Sequence, residues 1–303
     1  AAAAAAAARR GYMEFDLTSR NYAAATPTLV TTEAAPSEDV PDYLSTGRRP
    51  TSSFPIDVAT TSYGDVVRAI AAKQLPPAGA VRIEEMLNTF AYDYPGPAAG
   101  DDAPFAAALE AADAPWAPGH RLVRIGLKGR TDSGTTIARN VSIQVQFNPD
   151  TVQAYRLIGY EKSPLVAQET LSAGRVDAAV VQAGHTVTAL YEVIPTPGAP
   201  VSRNVDAVTR LLTVRIAYTR PDGVAARPLE FPLDDTGATF GDASGDFKFA
   251  AAVAGFGMKL REPGGDGSPS FGSIIAWAEQ GAAHDRRRHE FVGLVREASE
   301  VLR

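Results

Sequence analysis

The 303-residue chain contains no cysteine. That absence removes disulfides, thiolate nucleophiles and every Cys-ligated zinc or iron–sulfur site, while leaving the redox compartment open. Histidine is scarce: His120, His185, His284 and His289 are the full set, and only the last two are near each other. Their separation does not put both imidazoles on one helical face, as a zinc pair requires. Basic residues fall short of acidic ones, 29 against 35, for a net charge of −6. Neutralising a phosphate backbone needs clustered Lys and Arg, so nucleic acid is excluded as a partner. No stretch reaches about 18 consecutive apolar residues, so no segment reads as a transmembrane helix.

What is present is enough for a folded core. Hydrophobic residues make up 45% of the chain, and its length suits one large domain or two ordinary ones. Residues 1–8 are all alanine with no methionine before them, which reads as the interior of a longer chain or as positions of unestablished identity. Residues 23–53 are rich in Ala, Thr, Pro and Ser and poor in large apolar groups. Such a segment cannot offset its ordering entropy by burial, so 1–53 reads as a low-complexity, flexible arm.

Folded structure is expected from Phe54 onward. Phe54–Val58 reads as a short strand, Ser62 as the N-cap of a helix carrying Val66, Val67 and Ile70, and Val81–Phe90 as a second helix. Tyr92-Asp-Tyr94-Pro-Gly-Pro97 and the small residues after it read as irregular structure over a core edge. From Arg121 the apolar period changes from 3.6 to 2, in Val123, Ile125 and Leu127 and again in Val141, Ile143, Val145 and Phe147. Gly129-Arg-Thr-Asp-Ser-Gly134 between these runs has turn chemistry that would join them as an antiparallel pair. Further strands are expected at 153–160, 186–194, 211–218 and 229–233. After Asp235 the pattern is helical, with Asp246 capping a helix to Arg261 and two more helices at 271–278 and 290–302. The predicted class is α+β: an antiparallel, sandwich-like sheet with N-terminal helices and a C-terminal three-helix cap.

Chemistry-bearing patterns are sparse. His284 and His289 flank Arg286-Arg-Arg288, which reads as a solvated helix start, and His185 reads as a hydrogen-bonded structural histidine. Gly255-Phe-Gly257 lacks the third glycine and the preceding strand of a dinucleotide fingerprint, and neither a P-loop nor a nucleophile elbow occurs. Glu84-Glu85 and Asp234-Asp235 are adjacent carboxylates for which solvated positions are the default. Asn140-Val-Ser142 is a formal glycosylation sequon inside a predicted strand. No catalytic, cofactor-binding or metal residue is assigned, and the chain is expected not to be an enzyme.

One resemblance extends over most of the chain. Ser53–Tyr63, Gln74–Pro77, Val81–Met86, Phe90–Pro95 and Pro115–His120 resemble the N-terminal segment of bacterial von Willebrand factor type A domain proteins of the YfbK type. Gln144–Pro149, Tyr155–Glu161, Ala183–Glu192 and Phe247–Met258 are similar to the C-terminal domain of the same family. The resemblance implies a composite domain, 54–303, built from an N-terminal segment (54–128), a turn (129–135) and a C-terminal part (136–303). In the family a doubly wound A domain with an Asp-x-Ser-x-Ser metal site lies between the two segments, and here it is missing. Asp57-Val-Ala-Thr-Thr61 and Asp242-Ala-Ser-Gly-Asp246 are the nearest approaches, and both depart at a ligand position. A divalent metal is therefore expected only in the absent domain, whose insertion point would be the tip of the hairpin formed by 121–128 and 139–147.

The function implied is a non-enzymatic scaffold or protein-interaction module of the bacterial cell envelope, periplasmic, outer-membrane-associated or secreted. Its partner would be an envelope protein, and a lipid anchor could lie upstream. A hydrolase-like enzyme or enzyme-accessory subunit with an unidentified carboxylate site is one alternative, a structural component of a larger assembly another, and a cytoplasmic location stays open.

Overall fold

The computed structural model describes residues 43–131, 136–160, 180–198, 209–265 and 267–302. In chain order these form β1 (Leu44–Ser45), β2 (Thr51–Phe54), α1 (Thr61–Ala71), α2 (Ile83–Asn88), β3 (Phe105–Asp113), β4 (Arg121–Gly129), β5 (Thr136–Phe147) and β6 (Val152–Leu157). There follow β7 (Val180–Gln182), β8 (Thr186–Pro195), β9 (Arg210–Thr219), β10 (Leu229–Asp234), α3 (Gly245–Arg261), α4 (Phe271–Ala282) and α5 (Arg286–Val301). Two five-stranded sheets result: sheet A in the order β1-β6-β8-β4-β3, and sheet B in the order β10-β9-β5-β2 with β7 also on β5. Every strand pairing is antiparallel, and the α+β expectation holds.

Strand alternation decides what each face meets. Val123, Ile125 and Leu127 of β4 and Val187, Ala189, Tyr191 and Val193 of β8 share one core with Ile143, Val145, Val214 and Ile216 of sheet B. The outer residues of sheet B, among them Gln144, Gln146 and Arg215, are exposed, so its strands read as half-buried. Sheet A differs, because its other face is roofed by the helices. Leu122 and Leu190 belong to a second core with Val66, Ile70, Leu87, Phe249, Val253 and Phe291. The central helix α3 is apolar around most of its girth, as its burial between neighbours requires.

Several boundaries moved, each for a local reason. Helix α1 is capped at Thr60 rather than Ser62, because the Glu85 carboxylate accepts from Thr61 N, Ser62 N and the Thr61 hydroxyl at 2.9–3.0 Å. Ser244, not Asp246, caps α3 by accepting from Phe247 N. The run of small residues expected to be irregular is in part a strand, Phe105–Asp113: a sequence of alanines carries no period-2 signal and favours helix only weakly, and pairing along the whole of β4 decides its state. Tyr92–Pro97 is irregular, as expected, and covers sheet A.

Two expectations on domain organisation are corrected. Residues 43–53 are not a loose arm: β1 pairs with β6 and β2 with β5, so this strap stitches to both sheets. Residues 1–42 lie outside the described residues. The second correction is the hairpin. β4 lies between β3 and β8 in sheet A, whereas β5 lies beside β9, β2 and β7 in sheet B. The connection after Gly129 therefore crosses between sheets, and the two alternating runs face each other across the core instead of pairing.

Candidate functional site

Cross-strand register builds a polar cluster around Glu192, a carboxylate with no solvent exposure. It places Arg156 of β6 and Leu122 of β4 on either side of Glu192 of β8, on the face that the helices cover. Glu192 Oε2 accepts from Arg156 Nε at 3.0 Å, Arg156 Nη2 at 2.5 Å and Trp116 Nε1 at 2.9 Å. Its Oε1 accepts from the Tyr43 hydroxyl at 2.6 Å and lies 2.6 Å from His120 Nδ1. Trp116 and His120 come from the tight connection between β3 and β4, closed by Ala114 N donating to His120 O and His120 N donating to Ala117 O. Tyr43 comes from the strap, its ring under the Arg156 guanidinium.

The electrostatics follow from this enclosure. Burial pushes the Glu192 carboxyl up, but Arg156, together with the Trp116, Tyr43 and His120 hydrogen bonds, outweighs it and holds the group below the usual carboxylate range. Burial and the bond to Glu192 push the Tyr43 phenol up. The cluster lines a cavity of about 460 Å³: Tyr43, Trp116, His120, Arg156 and Glu192 themselves form part of its wall, which Ile83, Leu157, Met258, Arg261 and Glu262 continue. Chemically, Glu192 is a saturated carboxylate: its oxygens are occupied by four side chains.

A second polar cluster ties the helices to sheet A. Arg124 of β4 stands opposite Glu110 of β3 and bonds it at 2.8 Å. Glu110 in turn accepts from Ser244 N and Oγ at the start of α3. Asp246 accepts from Arg288 at 2.6 Å and from Asp93 N at 2.7 Å. Arg288 also donates to Gly281 O and Ala91 O, and lies over the rings of Tyr92 and Phe249. Arg121 pairs with Asp113 and Asp235.

The singled-out sequence features fall into place unevenly. Glu84 and Glu85 are buried rather than solvated, because α2 turns them onto Arg82 and the start of α1. Asp235 is buried by Arg121, whereas Asp234 is half exposed and pairs with Arg210. Arg288 departs from the solvated helix start that Arg286, Arg287, His284 and His289 do form. His185 is hydrogen-bonded as expected, with Nε2 2.7 Å from Ile56 O. Asn140 is exposed, at φ 49° in a register break of β5. Of the two near-motifs, Thr61 is committed to Glu85, while Asp242 closes a capping box with Thr239 and Asp246 holds Arg288. Among the described residues, no group of three or more His, Asp or Glu is arranged to hold a metal. Glu192, Arg156, Arg124 and Arg288 carried no individual sequence signal, although Trp116, His120, Arg156 and Glu192 all lie in segments that resemble the family.

The family model described as "Uncharacterized protein YfbK, C-terminal" matches residues 133–301. The chain belongs to the YfbK family. A second model, described as "von Willebrand factor", matches residues 30–124. "Uncharacterized protein YfbK" of Escherichia coli (strain K12) is 33% identical over 180 residues, covering 55% of this chain and 30% of that protein. The chain thus spans about a third of the length of this YfbK relative. No solved structure matches. The Glu192 cluster is where the two matched regions meet, because Trp116 and His120 lie in the von Willebrand factor match and Arg156 and Glu192 in the YfbK C-terminal match. Among the described residues, no helix is long and apolar enough to cross a membrane.

Proposed function

We propose that this chain is a non-enzymatic scaffold: a composite unit in which the two family segments clasp each other and present an adhesion-type domain to a protein partner. The observation that carries the reading is the interlock of the segments. β4 of the first fills the gap between β3 and β8, β2 pairs with β5 of the second, and Glu192 ties Trp116 and His120 to Arg156. In this reading the presented domain joins at the crossover after Gly129, where chain leaves sheet A for sheet B. In the same proposal, a divalent metal is held by that domain. A saturated Glu192 supports a structural hub over the enzyme-accessory alternative, since no oxygen is left to accept a substrate proton. A bacterial envelope location and an envelope protein as partner are part of the same proposal and come from the family resemblance.

The test is insertion of a compact foreign domain with adjacent termini between Asp132 and Ser133. Long insertions at such sites add little closure entropy, about 0.6 kcal/mol per doubling of loop length. The expected result is a cooperative urea transition of the host within about 1 kcal/mol of the parent. Insertion between Gln144 and Val145 of β5 serves as the control and should abolish folding. A host that fails to fold with the crossover insertion would overturn the presenting-scaffold reading.

A further inference from the structure

Natural sheets blunt their open edges with short strands, proline, bulges or charge, because a bare row of N–H and C=O groups is a template for another chain. Four strands here follow that rule. β1, β2 and β7 have only two, four and three residues, and β10 carries Pro232 and a register break at Leu233/Asp234. β3 is different: nine residues in unbroken register with β4, without proline or a basic residue.

The direction of its free groups follows from its ends. Arg130 N donates to Pro104 O, which continues the β4 ladder, whereas Asp113 N turns the other way and donates to Ala238 O. Backbone groups alternate sides along a strand, so Ala106, Ala108, Glu110 and Ala112 bond β4, and Phe105, Ala107, Leu109 and Ala111 point outward. Among the described residues, no backbone group takes those four outward positions. Of the four outward residues, Phe105 and Ala111 are buried and Ala107 and Leu109 are partly exposed, so the accessible part of the edge is its middle, 106–110. Only an extended polypeptide can satisfy a row of alternating donors and acceptors at strand spacing.

Charge selects among polypeptides. A second copy, paired antiparallel about Ala108, would bring Asp113 of each copy opposite residue 103, beside Asp101 and Asp102 of the other. Like charges facing across strands destabilise the pairing. Near that end Arg220, Asp101 and Asp102 all act on the Tyr218 phenol, the two aspartates against the arginine. We propose that the β3 edge receives an extended strand of a protein partner, flanked by Lys or Arg. The proposal deepens the interaction-module reading. That reading is tested by domain insertion at the crossover, so the failure of either is visible by itself.

The experiment uses the full chain and a fluorescent nonapeptide, Lys-Thr-Val-Thr-Val-Thr-Val-Thr-Lys, read by anisotropy. A twin peptide N-methylated at alternate residues removes the donors of one edge without changing charge. Binding by the first peptide and loss of about tenfold or more with the twin are expected. Ala107→Pro, which removes an outward N–H that β4 does not use, should weaken binding similarly without shifting the urea midpoint. Asp101→Lys with Asp102→Lys should reverse the preference toward a Glu-flanked peptide. Equal binding of the twin peptides, or no binding by either, overturns the proposal. So does self-association that Ala107→Pro abolishes, since the edge would then belong to a second copy.

Discussion

Replacing Gly126 by alanine probes the packing that roofs sheet A. Gly126 sits mid-strand in β4, and the ring of Tyr94 lies directly on it. A Cβ added there would overlap Cζ and Cε1 of that ring and stand 2.6 Å from Cε2. Ordinary carbon contacts lie at about 3.5–4.0 Å, so the ring must retreat by about 1 Å or more. It is poorly placed to do so. Its hydroxyl is 2.9 Å from Thr188 Oγ1, its carbonyl accepts from Lys128 Nζ at 2.9 Å, Tyr92 stacks on it at 5.6 Å and Arg124 lies 5.2 Å above it. Overpacking costs about 1–3 kcal/mol when neighbours can shift. Displacing the ring also breaks the Thr188 bond, about 1 kcal/mol more. The expected destabilisation is about 2–4 kcal/mol at unchanged m-value, measured by urea unfolding with Trp116 and Trp277 as reporters. Tyr94→Leu should be costly alone yet partly rescue Gly126→Ala, with a coupling of about 1–2 kcal/mol. A Gly126→Ala variant within about 0.5 kcal/mol of the parent would refute the reasoning.

Two further outcomes are expected. Glu192→Gln removes the charge that Arg156 faces, at a cost of about 3 kcal/mol near neutral pH, the low end for breaking a buried pair because Arg156 keeps some water contact. The folded-state pKa of Glu192 is depressed, so its stabilisation is fully present above the unfolded value of about 4.3 and is lost as pH falls through the folded value. The difference between parent and variant should therefore shrink below about pH 4 in urea titrations, and a gap that stays constant down to pH 2 would contradict the assignment. Glu85→Ala strips three donors at the start of α1 of their acceptor and leaves Arg82 with Glu84 alone. A loss of about 2–3 kcal/mol is expected, with early amide exchange at Thr61 and Ser62. Unchanged exchange at these two amides would show that α1 does not depend on this remote cap.

The α+β class was legible because period-2 and period-3.6 runs are local. Leu211–Tyr218 and the helix ending at Arg261 were readable for that reason, down to which side chains face inward. Burial of charge was not legible. Glu84, Glu85, Asp235 and Arg288 look like ordinary solvated groups in sequence, yet each is buried against a partner within bonding distance: Glu84 against its near neighbour Arg82, and the other three against Thr61, Arg121 and Asp246, which are distant in the chain. The Ala-rich strand β3 was hidden for a related reason, its intrinsic preference being opposite to the state that β4 imposes on it.

By itself the sequence determined the inward faces of β4 and β5, the helical C-terminus and membership of the YfbK family. Only the tertiary structure decided that β4 and β5 belong to different sheets. Alternation specifies the face a side chain takes but not the strand beside it, and that choice rests on long-range backbone pairing and on the helices that cover one sheet and not the other. The same pairing set Arg156 against Glu192 and Arg124 against Glu110, and it left β3 as the long edge with outward groups to offer.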